Sequence, residues 1–170
     1  MGSRDILSLV VFVFLLCALT ALPSMRFGSA DKEAALAAAL KAELEWFLGD
    51  DLYLTGDSSK DRVSLCLESD GGIDIELLSD DLSDTIIRPV PFDLCRRVIE
   101  KGNFGMFSAI YHHFGPDGEE AGHLQVIDIE CRTSSSCIID IDGFGSGYRH
   151  FVERQGQVWK VEKTRNRWIV

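Results

Sequence analysis

The chain has 170 residues, 46% of them apolar, with 17 basic against 27 acidic side chains and a formal net charge of −10 at pH 7. That length is one domain's worth, enough to bury a single continuous core. The acidic balance argues against nucleic acid as a partner, because binding it rests on clustered Lys and Arg that neutralise phosphates.

Arg4 precedes a charge-free apolar run from Ile6 to Leu22, followed by Pro23 and the small residues Gly28-Ser29-Ala30. A positive start, an apolar core and small residues before the cut are the parts of a signal peptide. Residues 1–30 are therefore expected to be removed after Ala30, with Ala21 as the alternative cut, leaving a single domain over 31–170. An uncleaved anchor stays open, since residues 6–22 just reach the roughly 17–25 needed to span a bilayer. Either way the folded part is expected outside the cytosol, secreted or periplasmic, as a monomer that meets a membrane only if the segment is retained. Without Arg4, Asp5 and Arg26, 15 basic residues face 26 acidic ones, a formal charge of −11.

Asp31 to Leu48 is Ala-rich and Pro-free, with Leu36, Leu40, Leu44 and Phe47 on one helical stripe. Asp31 or Ser29 suits the start, and Gly49 the left-handed end. Arg62 to Ser69 reads as a strand, alternating Val63, Leu65 and Leu67 with Ser64, Cys66 and Glu68. After Gly71-Gly72, Asp74 to Leu82 is expected as a short helix turning Ile75, Leu78 and Leu82 inward. Thr85 to Val90 is extended, and Pro89 and Pro91 fit an edge. Met106 to Phe114 and His123 to Cys131 form a hairpin around Gly115-Pro116-Asp117-Gly118. Cys137 to Asp142, Tyr148 to Arg154 and Gln157 to Lys163 continue the meander through Gly143–Gly147 and Gln155-Gly156. The expected fold is α+β: one long N-terminal helix packed on a curved antiparallel sheet of about four to six strands.

Cys66-Leu67, Cys95 after Pro91, Cys131 with Cys137, then Tyr148, Arg154, Gly156, Trp159, Val161 and Trp168-Ile169 form a pattern. It resembles a class of small exported disulfide-containing proteins of uncharacterised function. Glu68 and Asp93 depart from it, standing where that class places Ser. The helix-on-sheet outline is also similar to cystatin-like and NTF2-like folds. Neither resemblance implies an activity.

Four cysteines follow residue 30, and an even number in an exported chain reads as a disulfide framework with three possible connectivities. The five residues between Cys131 and Cys137 bring two strand ends within bridging distance, so these two are expected to pair and Cys66 to join Cys95 by elimination.

His113 would face His123 if Phe114 opposed Gly122, and His112 lies beside them, but no third ligand stands at fixed spacing, so no metal is expected. Asp140-x-Asp142-Gly143 lacks the further acidic positions of a calcium loop. The glycines at 143, 145 and 147 lead into a strand-like segment and read as a hairpin loop rather than a phosphate cradle. No Gly-x-Ser-x-Gly surrounds Ser134-Ser135-Ser136, and no catalytic residue or cofactor is assigned. Charge is uneven: thirteen carboxylates from Glu43 to Asp84 face only Lys60 and Arg62. Toward the carboxyl end, Arg149, Arg154, Lys160, Lys163, Arg165 and Arg167 gather against Glu153 and Glu162 and form a candidate docking patch.

Two functions are consistent with these features. The first is a non-catalytic exported binding or inhibitory domain that holds a protein or small ligand. The second is a ligand-binding protein or enzyme with a polar pocket between helix and sheet, lined by His123, His150, Asp128 and Asp140.

Overall fold

The computed structural model describes residues 29–54, 62–104, 107–143 and 145–169. The apolar run 6–22 and the alternative cut at Ala21 lie outside them, and a cut after Ala30 would fall within the first turn of helix α1 (Ser29–Leu48). No described helix is long and apolar enough to cross a membrane.

Helix α1 buries Ala35, Leu36, Ala39, Leu40 and Leu44, and its small alanines let the backbone approach the sheet closely. Each fully buried leucine contributes about 1.5–3 kcal/mol. The stripe differs from expectation at one end, where Phe47 is 41% exposed and Glu43, three residues beyond Leu40, is buried at 5%. Glu33, on the same face one turn before Leu36, is also buried and accepts the Asp74 N–H at 3.0 Å. The helix ends at Gly49, whose φ of 57° is left-handed.

Strand β1 (Val63–Ser69) stands second from one edge of the main sheet and pairs in parallel with both neighbours. Helix α2 (Ile75–Asp81), capped by the Asp74 carboxylate accepting from the N–H groups of Glu76 and Leu77, leads to β2 (Ile87–Pro91) on one side of β1. A short turn at Phe92–Leu94 then opens an arm of β3 (Arg96–Phe104) and β4 (Phe107–Phe114), paired antiparallel to each other. Strand β5 (Glu120–Thr133) meets β4 at only two positions, His113 with Ala121 and Phe114 with Glu120. From Gly122 onward that flank of β5 is taken by β1, in parallel. Beyond β5 the chain is a meander of β6 (Ser136–Gly143), β7 (Ser146–Gln155) and β8 (Val158–Ile169), giving the order β2-β1-β5-β6-β7-β8.

The described residues thus form eight strands in a mixed sheet with two helices, in place of one helix on an antiparallel sheet of four to six strands. The difference has a local cause. The turn at 115–118 starts a hairpin, but β1 captures β5 after two pairs, and the abandoned β4 finds its partner in β3. The face of β1 expected to be polar is accordingly buried, with Ser64 and Cys66 at 0% exposure.

Two disulfides tie this arrangement, and they are the expected pairs. Cys66 on β1 joins Cys95 at the root of the β3–β4 arm, with Cα atoms 6.2 Å apart. Cys131 and Cys137 are direct cross-strand partners on β5 and β6, 4.0 Å apart. A small domain stapled in this way belongs to an oxidising compartment.

Candidate functional site

Strand alternation sends Tyr148, His150 and Val152 of β7 toward the helix side and Arg149 and Phe151 to the other face. His150 lies opposite Ile139 on β6 and Thr164 on β8, beneath Glu43 of α1. Between α1 and the β7–β8 end of the sheet opens a cleft of about 370 Å³ lined by Ala42, Glu43, Trp46, Tyr148, His150, Thr164 and Asn166. That volume lies within the range of small-molecule sites.

The polar groups of this cleft are ordered from inside to outside. His150 is 1% exposed, and its Nδ1 is 3.1 Å from the Thr164 hydroxyl. Its Nε2 sits 3.3 Å from Glu43 Oε2, yet out of line, so that the nitrogen has no hydrogen bond. The contact is an ion pair when the ring is protonated, and a buried nitrogen without a hydrogen bond is costly, because burial removes the water that would otherwise satisfy it. Trp46 stands at the rim, 77% exposed, edge-on to Phe47 at 4.8 Å between ring centroids.

The other residues expected to share a pocket with His150 are elsewhere. Asp140 is on the opposite face of the sheet, where Arg149 clamps it with two hydrogen bonds of 2.7 Å and Arg167 approaches to 3.5 Å. Those hydrogen bonds hold its carboxyl below the usual carboxylate range against the opposing effect of burial. Asp128 is its register partner on β5. His123 lies toward the start of β5, 3.2 Å from Glu68, with its ring stacked on His113 at 4.3 Å and tilted against Phe92 at 5.0 Å. The two histidines share a face although Phe114 opposes Glu120 rather than Gly122, because the register differs by two and preserves parity. Burial pushes His113 below the usual imidazole range, with His123 and Arg97 adding to the effect. Among the described residues no group of three or more His, Cys, Asp or Glu side chains is arranged to hold a metal ion.

The carboxyl-terminal cations are mostly engaged. Arg149 and Arg167 meet Asp140 and Asp142, Arg154 reaches Asp31 on α1 at 3.0 Å, and the Arg165 guanidinium lies 5.1 Å over the Phe151 ring. Lys160 and Lys163 remain exposed on β8. The Asp140-x-Asp142 pair is thus occupied by guanidinium groups, and Gly145, at φ 80°, stands in the turn between β6 and β7.

Comparison with protein-family models, with curated proteins and with solved structures finds no match for this chain. Within the cleft the sequence singled out only His150. Glu43 enters the sequence reading only as one of the carboxylates from Glu43 to Asp84, although its spacing of three from Leu40 and four from Phe47 places it beside the apolar stripe.

Proposed function

We propose that the chain is exported by its N-terminal signal segment and that the folded domain is a binding protein holding a small molecule in the cleft between α1 and the β7–β8 end of the sheet. The observation that carries this reading is His150, a buried imidazole whose Nε2 faces Glu43 in the cleft wall without a hydrogen bond. Structural histidines are normally satisfied, and a polar atom left unpaired in a concave wall is a place for a ligand atom.

The experiment is a fragment titration of the exported, disulfide-bonded protein followed by amide and indole NMR. Signals of Ala42, the Trp46 indole, His150 and Asn166 are expected to move together, while those of the β3–β4 arm stay fixed. Fragments that cluster on another surface and leave these signals unmoved refute the cleft as the binding site. A second reading, an enzyme that activates a hydroxyl, draws on the Thr164–His150 contact of 3.1 Å. Labelling of Thr164 by an electrophilic acyl or phosphonyl probe would favour it.

A further inference from the structure

Resting on the reading of the cleft as a binding site, we infer that its ligand is a cationic amine: an ammonium group carried on an apolar body. Glu43 brings a carboxylate, 5% exposed, into the wall, and among the described residues the only basic group lining the cleft is His150. In the neutral tautomer that donates its Nδ1–H to Thr164 Oγ1, Nε2 is an acceptor, and it lies 3.3 Å from a second acceptor, Glu43 Oε2. Two buried acceptors side by side repel unless a donor bridges them. A ligand ammonium has three N–H groups and a full positive charge, so it bridges the pair and neutralises the carboxylate together. A neutral alcohol supplies one proton and no charge, and an anion would stand against Glu43.

The rim fits the same ligand. Trp46 gives an indole face and Tyr148 a phenol ring, surfaces that attract a cation and cover an apolar body. A largely exposed Trp at a cleft mouth is costly to the free protein and becomes favourable once a ligand lies against it. Farther out, Glu45, Asp50 and Asp51 follow on the same stretch of chain, and the molecule's net charge of −10 favours the approach of cations over anions.

Three probes of similar shape separate the possibilities: 2-phenylethylammonium, 2-phenylethanol and phenylacetate, titrated at constant ionic strength into the full exported protein. The ammonium ion is expected to shift the Trp46 indole, His150 and Asn166 signals. Glu43→Gln should weaken it about tenfold or more, through loss of a charged hydrogen bond. Trp46→Ala, a change at an exposed position that leaves the core untouched, should also weaken it and serves where Glu43→Gln fails to fold. Equal binding of the alcohol or the acid, or undiminished binding to either variant, overturns the inference while leaving the cleft as a binding site. Failure of all three probes to move the cleft signals also overturns it, and the fragment titration then decides the wider reading on its own.

Discussion

Removing each disulfide separately should reveal unequal contributions. In the chain-entropy description, the stabilisation grows with the logarithm of the loop closed in the unfolded chain. The sequence separations are 29 for Cys66–Cys95 and 6 for Cys131–Cys137. These give about 3.6 and about 2.2 kcal/mol at 25 °C. The difference of about 1.4 kcal/mol is a tenfold change in the unfolding equilibrium. Paired substitutions, Cys66→Ala with Cys95→Ala and Cys131→Ala with Cys137→Ala, remove each bridge without leaving a free thiol. Urea unfolding at neutral pH measures both costs. The native state adds a second signature: the β3–β4 arm meets β5 at two ladder positions, so losing its anchor at Cys95 should also speed amide exchange along β4. Losing the cross-strand bridge should leave β4 unchanged, since β5 and β6 stay paired along their length. A Cys131–Cys137 variant that loses as much stability as the other, or that alone frees the arm, would refute this reasoning.

Two further expectations concern pH. The folded-state pKa of Asp140 is lowered, so its contribution is present above the unfolded value of about 3.9 and is lost as pH falls through the lower folded value. Asp140→Asn should therefore flatten the acid limb of a stability–pH curve, and Arg149→Ala should destabilise the protein at neutral pH by stripping a buried carboxylate of two hydrogen-bond donors. A parallel acid limb in Asp140→Asn would count against this. The folded pKa of His113 is also lowered, because charging it costs more beside His123 and Arg97 and out of water. Stability should thus be full above the unfolded value of about 6.5 and decline as pH falls through the folded one. Urea unfolding at several pH values should show a shallower decline for His113→Gln than for the parent protein. An unchanged slope would show that the stacked pair does not govern it.

Local patterns were readable where one face decides an element. Leu36, Leu40 and Leu44 mark α1, Asp74 and Leu78 mark α2, and the hairpins from β5 to β8 follow from alternation, from the serine loop between Cys131 and Cys137 and from the turn glycines at 143–147 and 156. Long-range pairing was not readable. The alternation in Val63–Ser69 indicates one buried face, but a strand with parallel neighbours on both sides buries both, and only tertiary context supplies those neighbours. Strand β3 escaped notice because an arm projecting into solvent needs no apolar alternation: Arg96, Arg97, Ile99 and Glu100 are all exposed. The same limit applied to the cleft. His150 was legible as a candidate on a strand, whereas its partners Glu43 and Thr164 sit 107 residues before it and 14 after it, positions joined only by the packing of α1 on β7 and β8.

The two ends of the main sheet are guarded by different physics, with consequences for self-association. Strand β2 is five residues long and carries Pro89 and Pro91, which offer no N–H to an incoming strand. That protection is covalent and indifferent to solution conditions. Strand β8 runs for twelve residues with no outer neighbour among the described residues, and Lys160, Lys163 and Arg165 give it positive charge, Arg167 being paired with Asp142. A second copy laid edge to edge would set cation against cation. This guard is electrostatic and weakens over the few ångströms of a Debye length at high salt. Concentrated salt or neutralised lysines should therefore bring fibrous or edge-paired aggregates through β8 first, leaving β2 inert.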